Sequence, residues 1–424
     1  MKVLRLGDTG LYVQYLTLAL KRAGFSPGGI RSIFDQQVHN AVVAFQNNVR
    51  ITPDGIAGEI TFLNLLPYLK GYTTVIIGQG ETLEQIAKIY STTEDAIRIA
   101  NPQLENYLPG AEIVVPYGFD TISTEVDYSY ELVSWFMEGL AARYPFVRLS
   151  SAGSSVMGKE LIYLVIGTGE KRTFYNATHH ANEWITTPVL LKFTEDYLKA
   201  TAFGKELNSR DAKNLYATKT LYVMPLVNPD GLDLVTGALD TENSFYINAR
   251  SIASSYPFIA FPDGWKANIA GTDLNLNYPA SWEKAKEIKY NLGFTTPAPR
   301  DYVGSSPLSA IESRIVYNLS VENNFSLTVS LHTQGEVIYW KYLDYTPDRS
   351  EEIAGRLSEV SGYSAELTPY ASGFAGYKDW FISYYNRPGY TVEIGKGMNP
   401  LPISDFESIY PAVSRLLTEA LYLT

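Results

Sequence analysis

The sequence predicts a multidomain protein. A small all-α three-helix unit is expected at residues 1–69, a β-α-α-β unit at 70–118, and a large α/β domain with a mixed sheet at 119–424. Three observations carry this. The 424 residues exceed the length over which one hydrophobic core keeps growing. Near the N-terminus, apolar residues recur at helical spacing. Beyond residue 119, nearly continuous apolar runs of strand length alternate with helical patterns, as in a sheet covered on both faces.

In the first unit, Val38, Ala41, Val42 and Phe45 fall on one helical stripe. Val13, Leu16 and Leu20 suggest an earlier helix, and a third is expected to start near Gly58 and bury Phe62, Leu65 and Leu66. The stretch PDGIAG at 53–58 separates the second and third with strong turn chemistry. In the second unit, Val75–Ile77 reads as a short strand. Thr82 and Gln85 form a capping box for a helix burying Leu83, Ile86 and Tyr90. A second helix is expected from Thr93 through Ile97, and Ile113–Pro116 pairs with the first strand. In the large domain, strands are expected at 161–167, 220–228, 327–332 and 389–394, and helices at 187–200 and 308–320; residues 119–127 read as a linker or a first strand.

Composition excludes several functions. There are 34 basic and 45 acidic residues, so no basic surplus exists to neutralise a nucleic acid. Cysteine is absent, which excludes disulfides and thiolate metal sites. Any metal must then be held by His, Asp or Glu. The start, MKVLRLGDTGLYVQ, lacks the apolar run of a signal peptide, and no run of 18 apolar residues occurs. The expectation is a cytoplasmic or cell-wall-associated protein without a membrane partner.

The four histidines are His39, His179, His180 and His332. His39 reads as a surface residue of the second helix. THHANEW, residues 178–184, places Glu183 three after His180, a spacing that a turn or helix start brings to one side. His332 ends an apolar strand-like run, where an α/β sheet delivers ligands at its edge. His179 faces away from its neighbour in an extended chain.

Three resemblances follow. LRLGDTGLYVQYLTLAL, FDQQVHNAVVAFQ and ITPDGIAGEIT resemble, in order, the landmarks of the three-helix peptidoglycan-binding domain. GQGETLEQIAKIYSTTEDAIRIANPQLENYLPGAEIVVP resembles a LysM domain, a family that binds N-acetylglucosamine chains. From THHANEW onward, the series PLVNPDG, GTDLNLNYP, GSSPLSAIE, LHTQGE and GYTVEIG is similar to the zinc carboxypeptidases of the carboxypeptidase A type. That last resemblance implies one Zn2+ per chain, with His180, Glu183 and His332 as its ligands. It further implies that Asp273 orients the first histidine and that Glu393 moves the proton from the attacking water to the leaving amine. Arg250 is the candidate for polarising the scissile carbonyl, and Asn275 matches the asparagine that holds the substrate carboxylate.

The sequence departs from the family at two places. The arginine that clamps a terminal carboxylate in the family's GxDxNRN segment is Leu276 here, and an apolar side chain cannot supply a bidentate clamp. The position before Asp379-Trp380, which lines the side-chain pocket, is Lys378, suited to a substrate carboxylate. The family's mobile tyrosine corresponds to Tyr370. With wall-binding modules alongside, these changes resemble the γ-D-glutamyl-diaminopimelate endopeptidases. The expected activity is zinc-dependent hydrolysis of peptidoglycan stem peptides at that bond, with glycan and stem peptides as partners. The alternatives are a zinc carboxypeptidase acting on ordinary peptides and a non-catalytic wall-binding protein.

Overall fold

The computed structural model describes residues 2–424. The chain divides into two compact units, Met1–Arg148 and Leu149–Thr424.

The first unit begins with three helices, Leu11–Arg22, Gln36–Asn48 and Glu59–Lys70. The expected stripes are buried: Val13, Leu16 and Leu20 on the first, and Val38, Ala41, Val42 and Phe45 on the second. The third buries Phe62, Leu65 and Leu69, while Leu66 is only half-buried. Asp35 caps the second helix, accepting from Gln37 N and Val38 N. The PDGIAG turn is stitched by the buried Gln46, whose Oε1 accepts from Gly55 N at 2.9 Å and whose Nε2 donates to Asp54 Oδ1 at 3.0 Å. Gly55 is required twice over: its φ is +71°, and a Cβ there would lie 2.0 Å from the His39 ring.

The β-α-α-β module follows. Strand β1 (Tyr72–Ile76) pairs antiparallel with β2 (Glu112–Pro116), and the helices Leu83–Ile89 and Glu94–Ala100 lie between them in sequence. The capping box is present: Gln85 N donates to Thr82 Oγ1 and Thr82 N to Gln85 Oε1. Residues 119–129 form neither strand nor helix. The next helix, Tyr130–Arg143, also belongs to this unit. A Cβ on its Gly139 would sit 1.9 Å from the Lys70 carbonyl oxygen, and Arg143 Nη1 donates to the Phe119 carbonyl at 2.8 Å. The compact unit therefore ends at Arg148, whereas the sequence places a domain boundary between 118 and 119.

The second unit is built on an eight-stranded sheet. Its strands are β3 (Arg148–Ser154), β4 (Glu160–Gly167), β5 (Lys171–Ala177), β8 (Lys219–Met224), β9 (Leu327–His332), β10 (Val337–Tyr339), β11 (Ser364–Glu366) and β12 (Gly389–Glu393). The spatial order is β11-β10-β12-β9-β5-β8-β4-β3. A separate two-stranded hairpin comprises β6 (Glu206–Leu207) and β7 (Arg210–Asp211). In the large sheet β12, β9, β5 and β8 run parallel, and β10 and β4 pair antiparallel to their inner neighbours, giving the mixed sheet expected.

Helices cover both faces. Consecutive residues of β5 show this, because side chains alternate across a strand. Phe174 stacks on Phe325 and meets Tyr377 of the helix Tyr377–Tyr385, while the Tyr175 hydroxyl donates to the Leu417 carbonyl of the helix Phe406–Leu423. The four expected strands and two expected helices all form, within a few residues at their ends. The central strand β5 is not legible in advance: KRTFYNA opens on two exposed charges and carries only three apolar residues. Among the described residues no helix is long and apolar enough to cross a membrane.

Candidate active site

Three adjacent parallel strands end together. The chain leaving β5 carries His179 and His180; His332 is the last residue of β9 and Glu393 the last of β12, and the latter two are partners in register. Their common position follows from the topology, since carboxyl ends of parallel strands share one edge. A 3-10 turn, Ala181–Glu183, swings Glu183 back beside His180.

The donor atoms of His180, Glu183 and His332 all lie within 4.8 Å of one another. His180 Nδ1 is 3.0 Å from Glu183 Oε1, His332 Nδ1 is 2.9 Å from Glu183 Oε2, and the two Nδ1 atoms are 3.2 Å apart. Two imidazole nitrogens aimed at one carboxylate from that distance suit a single cation, and the His2Glu set suits zinc. Behind His180, its Nε2 lies 3.2 Å from Asp273 Oδ1. Asp273 Oδ2 accepts from Asp301 N at 3.1 Å. This arrangement fixes the tautomer that leaves Nδ1 free to ligate. His179 is turned away: its Nε2 meets the Tyr278 hydroxyl at 3.0 Å and its ring stacks on His332.

The electrostatics are those of a concentrated charge cluster. Burial alone would lower the His180 pKa, but Glu183 and Asp273 outweigh it and hold it at about 9. Burial also opposes ionisation of Glu183 and Asp273, yet their cationic neighbours keep both well below the usual carboxylate range. Glu393 moves the other way. Burial, reinforced by the adjacent Glu183 carboxylate, pushes its pKa up. A carboxyl so placed has the basicity that proton transfer near neutrality requires.

A cavity of about 180 Å3 opens over this cluster. Its walls include His180, Glu183, Asp273, Asn275, Leu276, Lys378 and Glu393. Asn275 Oδ1 accepts from Tyr377 N at 3.0 Å. Lys378 is buried, with Nζ donating to Asp379 Oδ1 at 2.6 Å and to the Lys341 carbonyl at 2.9 Å. Besides His332, which is buried beside Glu183, two expected residues are not on these walls. Arg250 is exposed on the helix Ser244–Ser254, which buries only Ala249 and Ala253; position 250 is rotated about 100° from Ala249, towards solvent. Assigning Arg250 to the scissile carbonyl is therefore corrected. Tyr370 sits on an exposed 3-10 turn, edge-on to Phe374. Its neighbours Thr368, Pro369 and Ser372 reach the cavity, but Tyr370 itself does not line it.

The structure adds cations that the sequence reading missed. Lys266 Nζ donates to Glu183 Oε1 at 2.8 Å, and Lys289 and Arg300 also line the cavity. The signal for Lys266 in the sequence is its place as the last cation before Gly271-Thr272-Asp273. Nothing in the sequence pattern marks Lys289 or Arg300.

Comparison with known proteins agrees with this geometry. The zinc carboxypeptidase family model matches residues 133–411, and a peptidoglycan-binding domain model matches residues 9–63. The chain is 37% identical over 302 residues to gamma-D-glutamyl-L-diamino acid endopeptidase 1 of Lysinibacillus sphaericus, covering 71% of this chain and 74% of that protein. It is 39% identical over 282 residues to YqgT of Bacillus subtilis, covering 66% and 73%. The crystal structure of a Helicoverpa armigera carboxypeptidase A superposes with a TM-score of 0.53 at 17% identity, covering 91% of this chain and 95% of that one, a likeness of fold. The chain belongs to the zinc carboxypeptidase family of metallopeptidases.

Proposed function

We propose that this protein is a zinc-dependent peptidase that hydrolyses peptidoglycan stem peptides at the bond between the γ-carboxyl of D-glutamate and diaminopimelate. The observation that carries this reading is the 37% identity, over 71% of this chain, to an enzyme named as a gamma-D-glutamyl-L-diamino acid endopeptidase. Leu276 supports it, because a cavity wall without the arginine clamp leaves room for a substrate that continues past the diamino acid. The N-terminal modules support it as well. The peptidoglycan-binding match at 9–63 and the LysM-like β-α-α-β module at 72–116 would hold the enzyme on its polymer and raise its local substrate concentration.

The residues divide the work as follows. His180, Glu183 and His332 hold the zinc, which when bound supplies Lewis-acid polarisation and lowers the pKa of water. Asp273 keeps His180 in its ligating tautomer. Glu393, buried and raised in pKa, takes the proton of the attacking water and delivers it to the leaving amine. Lys266, rather than Arg250, supplies positive charge to the oxygen of the scissile carbonyl as it becomes an oxyanion. Asn275 and the Lys378–Asp379 pair shape the pocket beyond the cut.

The test is product identification by mass after incubating the zinc-loaded protein with the stem tetrapeptide L-Ala-γ-D-Glu-diaminopimelate-D-Ala. Alanyl-glutamate together with diaminopimelyl-alanine is the expected pair. Release of the terminal D-alanine alone would assign ordinary carboxypeptidase action instead.

A further inference from the structure

The proposed substrate brings carboxylates into the cavity. D-glutamate linked through its γ-carboxyl keeps a free α-carboxylate, and the diamino acid carries at least one more. A carboxylate drawn out of water needs a cationic partner. Four lysine or arginine side chains line the cavity: Lys266, Lys289, Arg300 and Lys378. Each lysine ammonium is already held by an acid: Lys266 by Glu183 at 2.8 Å, Lys289 by Asp301 at 2.6 Å, and Lys378 by Asp379 at 2.6 Å. Lys289 and Lys378 are also deeply buried, with side chains 9% and 4% exposed.

Arg300 is also paired with an acid, but through one nitrogen only, and it is more exposed. Only its Nε is engaged, donating to Asp301 Oδ2 at 2.7 Å, and among the described residues neither terminal nitrogen is hydrogen-bonded to protein. Its side chain is 43% exposed. It is also firmly placed. Asp301 binds Lys289 with Oδ1 and Arg300 with Oδ2, while its own N–H donates to Asp273, the carboxylate that orients His180. Asp301 has φ +65°, a left-handed conformation that a non-glycine residue holds only where its surroundings fix it. The Arg300 fork is thus tied through two acids to a metal-binding histidine.

We propose that Arg300, steadied by Asp301, is the carboxylate-binding residue of this cavity, taking an internal carboxylate of the stem peptide and not the terminal one. A planar guanidinium with both terminal nitrogens available binds a carboxylate bidentately, which no lysine in this cavity can do. The inference rests on the stem-peptide reading above. The carboxylate it takes is either the α-carboxylate of D-glutamate or a free carboxylate of the diamino acid.

Steady-state kinetics on three peptides distinguish these. They are the unmodified stem peptide, the same peptide with the glutamyl α-carboxylate as its amide, and the same peptide with the side-chain carboxylate of diaminopimelate as its amide. Arg300→Ala should raise KM for the unmodified peptide roughly 10- to 100-fold, with kcat little changed and zinc content unaltered. For one of the two amides, the wild type should already show that penalty and Arg300→Ala should add nothing, which identifies the group recognised. Arg300→Lys should recover part of the loss. An equal penalty on all three peptides, or an unchanged KM, would overturn the proposal. Failure of the stem-peptide reading looks different: the wild type would cut none of the three. Arg300 is then decided by the same variant comparison on any free-acid and amide pair that the enzyme does cut.

Discussion

At the sheet end of the cavity, His180, Glu183, His332 and Glu393 hang from the carboxyl ends of three neighbouring parallel strands. Elsewhere on the cavity wall, Asn275 and Leu276 come from a 3-10 turn, Lys289 and Lys378 from helices, and Arg300 from a loop. Strand register sets His332 and Glu393, so a shift of one residue would turn both to the wrong face, while the turn after β5 sets His180 and Glu183. The second group is set by loop paths and by ion pairs that can be exchanged one at a time. The contrast teaches where each property resides. On the function proposed above, the chemistry belongs to the sheet and the choice of substrate to a wall that can vary without disturbing the sheet.

That division can be broken experimentally. The largest effect is expected from Glu183→Ala, which removes one of the grouped metal donors and strands Lys266. Zinc content measured by atomic absorption should fall well below one per chain and hydrolysis should drop to background. A variant that retained both would show that the cluster is not the catalytic centre.

A smaller and sharper effect separates Lys266 from Arg250. Lys266→Ala should lower kcat roughly 10²- to 10³-fold if Lys266 stabilises the developing oxyanion, and zinc content should stay near one per chain. Arg250→Ala, on a solvent-facing helix position, should leave kcat and KM within about twofold of wild type. The reverse pattern in kcat would restore the arginine as the carbonyl partner.

The same contrast explains what could be read from the sequence. His180 and Glu183 were legible because ligand spacing across one turn is a local property. His332 and Glu393 were legible because a polar residue closing an apolar strand has few structural reasons to be there. The helical stripes of the N-terminal unit were legible for the same local reason, apart from Leu66, where the third helix turns Leu69 into the core instead. Strand β5 was not, because its burial comes from its neighbours β8 and β9 and not from its own composition. Arg250 was misassigned because the residues before the GTDLN segment carry no periodic signal that fixes their register on the family pattern. Arg300 and Asp301 had no signal at all: their significance lies in contacts with Asp273 and Lys289, residues that only the fold brings together.

The central claim is that one zinc at His180, Glu183 and His332 works with Glu393 as the proton carrier. The most direct measurement strips the metal by chelation, returns zinc stepwise, and follows peptide hydrolysis in the wild type and in Glu393→Gln. The wild type should regain activity in proportion to zinc up to one equivalent per chain. Glu393→Gln should bind the same equivalent yet turn over roughly 10²- to 10⁴-fold more slowly. Hydrolysis that survives chelation, or a zinc-loaded Glu393→Gln that matches the wild-type rate, would contradict it.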